Sequence, residues 1–140
     1  MLRLTLFVIA VLAATPARAG DAQAAPAPGP VWLGVEEGLA RAKSLDFPVL
    51  VWLASRGCAS CGAEGFANPD VREMLPDFVM VRADLTRARG WDLPERGPVV
   101  ALLDSEGNPL PDLHVEAGPD GRLAPEEIID LLSSGLDVLR

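Results

Sequence analysis

Histidine and cysteine are scarce in this 140-residue chain, which carries one His and two Cys. A structural zinc site takes about four ligands, so these three side chains fall short of a full set, and neither metal nor cofactor is implied. Basic residues are also few, 12 against 20 acidic, for a formal charge of −8. That balance argues against nucleic acid and anionic membrane surfaces as partners and favours solubility. No internal repeat is visible. No apolar run reaches the roughly 20 residues that a membrane-spanning helix needs, so the mature chain is expected not to span a membrane.

The longest apolar stretch stands at the N-terminus, where residues 1–19 read as a cleavable secretory signal. Arg3 supplies the positive start, residues 4–14 the apolar stretch, and Ala17-Arg18-Ala19 the small-x-small cleavage site. No Cys follows directly for a lipid anchor. An uncleaved anchor is the alternative, and the shortness of the stretch weighs against it. Cleavage removes Arg3 and Arg18, which leaves ten basic and twenty acidic residues and a formal charge of −10. The remainder is long enough for one domain with one core.

What is present is Cys58-Ala59-Ser60-Cys61, a C-x-x-C directly after the apolar run Phe47-Pro48-Val49-Leu50-Val51-Trp52-Leu53-Ala54. A strand that delivers two thiols at i and i+3 onto a helix start makes a redox pair. The helix N-terminus stabilises a thiolate, and the spacing sets the sulfurs side by side. A structural staple is the competing reading in an oxidising compartment. Closing so short a loop stabilises a fold by about 2 kcal/mol, against nearly 5 for a hundred-residue loop, so a staple is poorly placed here.

Around the pair the chain alternates in type. Residues 20–30 are Ala/Pro-rich and read as a leader. The folded part, residues 31–140, begins near Val31-Trp32-Leu33. Residues 35–43 carry Val35, Leu39 and Ala42 at helical spacing, with acids early and bases late. Residues 47–54 read as a strand buried on both faces. The cysteine-bearing helix is expected to run to about Phe66, after which Asn68-Pro69-Asp70 opens a new helix as cap, first position and first-turn acid. Residues 78–85 read as a second strand. Residues 86–97 are polar and rich in breakers, and a turn is expected there. Residues 99–103 and 110–115 read as a hairpin across Asp104-Ser105-Glu106-Gly107-Asn108. Pro125-Glu126-Glu127 starts a last helix with Ile128, Leu131, Leu132 and Leu136 on one side. The fold class is α/β, with a sheet that mixes parallel strands and an antiparallel pair.

Taken together, the 47–54 run, the C-x-x-C, Phe66-Ala67-Asn68-Pro69-Asp70-Val71, Val79-Met80-Val81-Arg82-Ala83-Asp84-Leu85-Thr86, and Gly97-Pro98-Val99-Val100-Ala101-Leu102-Leu103-Asp104-Ser105-Glu106-Gly107 resemble the thioredoxin superfamily. The branch they most resemble holds the C-terminal thioredoxin-like domain of DsbD, a periplasmic electron-transfer protein. The likeness extends from Val31 to about Leu132 and implies a three-layer α/β/α domain around a mixed central sheet. It also implies roles: Cys58 as attacking thiolate, Cys61 as resolving thiol, and Pro98 as a cis proline facing the pair.

Three features depart from the resembled pattern. Gly57 stands where a Trp often precedes the first Cys. Trp52 holds the position, six before Cys58, that usually carries a buried acid. Residues 86–97 are shorter than the family's helix at that place, which leaves the groove beside Pro98 more open. Glu64, one turn beyond Cys61, is a possible substitute base, although an exposed glutamate is the plainer reading. His114 falls in the distal hairpin strand and reads as a solvated or structural histidine. Trp32 and Trp52 read as core, and Trp91 as a contact for partners.

The resemblance implies a periplasmic thiol–disulfide oxidoreductase, acting as a monomer and reducing protein disulfide substrates. A membrane thiol-electron transporter is the implied electron source. The alternative is a non-catalytic binding module or chaperone on the same fold, which the loss of the acid and of the Trp before Cys58 favours.

Overall fold

Val49–Ala54 forms β1, and all six of its residues are buried. An uninterrupted apolar run can lie in a sheet only where both faces are covered. The computed structural model, which describes residues 31–54 and 63–140, covers both. β1 pairs in parallel with β2 (Val79–Asp84) from Val49↔Val79 to Ala54↔Asp84. On its other side it pairs antiparallel with β3 (Val99–Leu103) from Val49↔Leu103 to Leu53↔Val99. β3 in turn pairs antiparallel with β4 (Pro109–Glu116), giving the order β2-β1-β3-β4. The sheet is mixed, as expected.

Side chains alternate along a strand, so each strand feeds two cores. Leu50, Trp52, Ala54, Val100 and Leu102 point to one face, with Phe66, Val71, Ile128, Leu131 and Leu132 above them. Val49, Val51, Leu53, Val79, Val81 and Val99 point to the other, against Ala42 and Ala88. Helices α2 (Ala63–Phe66), α3 (Pro69–Met74) and α4 (Pro125–Val138) form the first layer, and α1 (Val35–Leu45) lies in the second. The result is three layers, α/β/α. Full burial of a Leu such as Leu50 or Leu53 is worth roughly 1.5–3 kcal/mol relative to exposure, a large share of the about 5–15 kcal/mol of net stability typical of a domain.

Local chemistry sets the element ends. The Asn68 carboxamide oxygen accepts from the backbone N–H groups of Asp70 (2.9 Å) and Val71 (3.4 Å), with Pro69 at the first helical position. Asp46 takes the left-handed conformation after α1, and Phe47, expected inside the strand, stays outside it and 39% exposed. The hairpin turn closes on Asp104, whose Oδ1 accepts from the N–H groups of Glu106 and Asn108, each at 2.9 Å. Before α1, Leu33 makes a single parallel bridge to Val81 and extends the sheet beyond β2.

Residues 86–97 correct the sequence reading. Instead of a plain turn, Leu85–Trp91 forms a 3-10 helix. Asp84 caps it, its Oδ1 accepting from Thr86 N–H at 2.8 Å, and Asp92 closes it in the left-handed conformation. Leu85, Ala88 and Trp91 recur every third residue, which is one face of a helix with three residues per turn. That face packs on the α1 side of the sheet. Trp91, expected as a partner contact, is half-buried there, and core packing accounts for it.

Candidate functional site

The chain leaves β1 at Ala54 and re-enters described structure at Ala63, the first residue of α2. Cys58 and Cys61, with Arg56 and Gly57, lie between them and outside the described residues. The described residues define what flanks that segment.

Pro98 is the nearest of the expected site residues. The antiparallel register that pairs Leu53 with Val99 brings Ala54 alongside Pro98 at the same end of the sheet. Pro98 is buried, its carbonyl accepts from Ala117 N–H at 2.9 Å, and the Gly97–Pro98 peptide bond is cis, the isomer the resemblance implies. Gly97 abuts the 3-10 helix. A Cβ built on it would stand 2.9 Å from Leu85 Cδ1, so the backbone here runs against the Leu85 side chain. Beyond Leu85 opens a groove of about 490 Å³ lined by Leu85, Thr86, Arg89 and Glu95. Arg89 Nε donates to Glu95 Oε1 at 2.6 Å, joining the 3-10 helix to the loop that leads to Gly97. The Arg89 guanidinium holds the Glu95 carboxyl below its ordinary value, by hydrogen bonding first and charge second, and Arg89 is raised by the same contact. Sequence reasoning missed these lining residues. The three-residue spacing of Leu85, Ala88 and Trp91 was the available signal.

Beneath α2 lies Trp52, where the resemblance leads one to look for an acid. Its ring meets Trp32 edge-on at 5.3 Å between centroids and Phe66 at 5.7 Å, and Trp32 and Phe66 are themselves 4.9 Å apart. Arg82, its partner in the β1–β2 register, stands over the ring at 4.9 Å. Trp32 and Trp52 are therefore core residues, as expected. The contact with Phe66 couples Trp52 to the last residue of α2, so the sheet supports this helix with aromatic surface. Gly65 brings α2 close to α4, since a Cβ there would meet Ile128 Cδ1 at 2.6 Å and the Leu123 carbonyl oxygen at 2.8 Å. Glu64 is exposed.

His114 is exposed on β4, in keeping with a solvated histidine. No group of three or more His, Cys, Asp or Glu able to hold a metal occurs among the described residues. Nor does any helix among them have the length and apolarity to cross a membrane.

No protein-family model and no curated protein matches the chain. In structure the chain is similar to a disulphide isomerase from Xylella fastidiosa Temecula1, with 18% identity and a TM-score of 0.55, over 72% of this chain and 87% of that one. At that identity the likeness speaks to architecture. The fold is thioredoxin-like.

Proposed function

We propose that this protein is a thiol–disulfide oxidoreductase that acts on protein disulfides through Cys58 and Cys61. The observation that carries the reading is the Leu53↔Val99 pairing, which sets Ala54 and the cis Pro98 at one end of the sheet, where the chain enters the C-x-x-C segment of a thioredoxin-like fold. The DsbD-like branch rests on the sequence resemblance, and the exported, periplasmic setting on the signal-like residues 1–19.

In this reading the Cys58 thiolate attacks one sulfur of a substrate disulfide and releases the other as a thiolate. Cys61, deprotonated, then attacks the Cys58 sulfur of the mixed disulfide and frees the second substrate thiol. The substrate gains two electrons, and the protein is left with a Cys58–Cys61 disulfide. Turnover in an oxidising compartment then needs a dithiol donor, the role of a membrane thiol-electron transporter. The groove beside Gly97, lined by Leu85, Thr86, Arg89 and Glu95, is the surface an extended substrate segment meets next to Pro98.

The second reading, a binding module that does not turn over, is favoured by one observation. Trp52 fills the space beneath α2 with an indole, so no carboxylate at that position takes the proton of a resolving thiol. Insulin reduction by dithiothreitol separates the two. Catalysis by the native chain that disappears in Cys58→Ser supports the oxidoreductase. Absence of catalysis with retained peptide binding rejects it in favour of the module.

A further inference from the structure

β4 is the last strand of the sheet, paired with β3 on one side and, among the described residues, with no strand on the other. Its two halves differ. Pro109 and Pro111 have no N–H, and Asp112 takes the left-handed conformation (φ 59°) where the register with β3 shifts. Prolines and bulges are the devices that keep a sheet edge from pairing. Residues 113–116 carry neither. Ala117 N–H donates to the Pro98 carbonyl in the same register that pairs Val115 with Val100, so residues 115 and 117 bond toward β3. By the antiparallel alternation, the N–H and C=O groups of His114 and Glu116 point away from the sheet. They meet no backbone partner there among the described residues.

Alongside this open half runs a groove of about 410 Å³ between β4 and α4. Its floor is apolar, formed by Leu113 and Val115 from the strand and Leu131 from the helix. Its rim is acidic. Glu127 and Asp130 share one face of α4 with Leu131, and Asp112 and Glu116 stand on the strand. All four carboxylates are exposed, and none is in an ion pair among the described residues. No described Lys or Arg lines the groove, and its one other titratable group is His114.

We propose that the 113–116 edge of β4 docks an extended, basic peptide segment of a partner protein, added as a further strand with Lys or Arg side chains beside Glu127 and Asp130. The free backbone groups of His114 and Glu116 supply main-chain affinity, and side chains at alternate positions supply selection. Charge chooses the occupant. A second copy of this chain carries a formal charge of −8 and brings the same carboxylates to the edge, so self-pairing is opposed while a basic segment is drawn in. The site lies across β3 from β1 and uses no thiol, so it stands apart from the redox reading.

The test titrates a synthetic peptide alternating Lys and Thr into the ¹⁵N-labelled full chain, followed by amide resonances and by fluorescence anisotropy. The His114 and Glu116 amides are expected to shift and to gain protection from hydrogen exchange, and the affinity to fall as salt is added. A peptide alternating Glu and Thr is expected not to bind. Joint Glu127→Gln and Asp130→Asn substitution is expected to weaken binding by about fivefold. Binding that leaves the two amides unmoved, or that survives both substitutions, overturns the proposal. So does equal binding of the Glu peptide, or no shift at millimolar Lys peptide. Shifts of the same amides when the protein alone is concentrated, the mark of a second copy on the edge, overturn it too. The mapping uses the unsubstituted protein, so it decides even where the variant folds poorly.

Discussion

Arg82 and Trp52 are partners across the β1–β2 pair, and the Arg82 guanidinium lies 4.9 Å from the centre of the Trp52 ring. The contact lays an exposed cation from β2 against a ring buried under α2, at the base of the candidate site. A cation over an indole at an exposed position stabilises by about 0.5–1 kcal/mol. Arg82→Ala is expected to lower unfolding stability by about that much in urea titrations, with a change in tryptophan emission. Arg82→Met keeps the apolar stem and removes the charge. Full stability in the Met variant shows that the stem, and not the cation, is what matters.

Glu95 and Glu36 are both held below the ordinary carboxylate value of 4.5, for different reasons, and the variants tell them apart. Glu95 is lowered chiefly by its hydrogen bond from Arg89, and Glu36 chiefly by backbone N–H donation at the start of α1, with Arg87 second. Carboxyl-detected NMR is expected to show Glu95 returning toward 4.5 in Arg89→Ala. In Arg87→Ala, Glu36 stays depressed in part. Because both folded values are lowered, each group supports folding above its unfolded value and loses that support as pH falls through the folded one. Both are fully exposed, so added salt weakens the effect. An unmoved Glu95 in Arg89→Ala contradicts the pair.

Gly65 controls how closely α2 seats on α4. A methyl group there meets Ile128 Cδ1 at 2.6 Å and the Leu123 carbonyl oxygen at 2.8 Å. Ala has the better helix propensity by about 1 kcal/mol, but the oxygen belongs to backbone and cannot move aside cheaply. Overpacking of this kind costs about 1–3 kcal/mol, so Gly65→Ala is expected to be net destabilising. Ile128→Val removes the Cδ1 contact and is expected to recover part of the loss in a double-mutant cycle. Additive losses in that cycle disprove the contact.

The features legible in the sequence are those whose cause is local. The β1 run is continuous and apolar because both its faces are covered. The Asn68-Pro69 pair marks the start of α3 with its own capping chemistry. What escaped the sequence depends on distant partners or on an unusual period. The 3-10 helix repeats every third residue, and its Gly90 and nearby Pro94 read as breakers. Leu33 joins the sheet by one bridge, too short to register as a strand. The cluster of Trp32, Trp52 and Phe66 draws on three separated segments, and the groove depends on the Arg89–Glu95 contact. Residue type alone marks Trp52 as core. That its N–H meets no acceptor among the described residues is a property of the packed structure.

The two thiols are expected to differ in reactivity, and that difference tests their roles directly. Cys58 comes first in the C-x-x-C and is predicted at the helix start, where backbone N–H groups favour a thiolate and solvent has access. Cys61, three residues further along the sequence, is in this reading the resolving thiol and the less accessible of the two. At neutral pH the reduced protein is therefore expected to lose Cys58 to iodoacetamide before Cys61, as followed by peptide mass mapping. In Cys61→Ser the mixed disulfide on Cys58 has no resolving thiol, so substrates from an exported-protein fraction are expected to stay attached until dithiothreitol is added. Equal alkylation of both thiols, or faster loss of Cys61, removes Cys58 from the role of nucleophile.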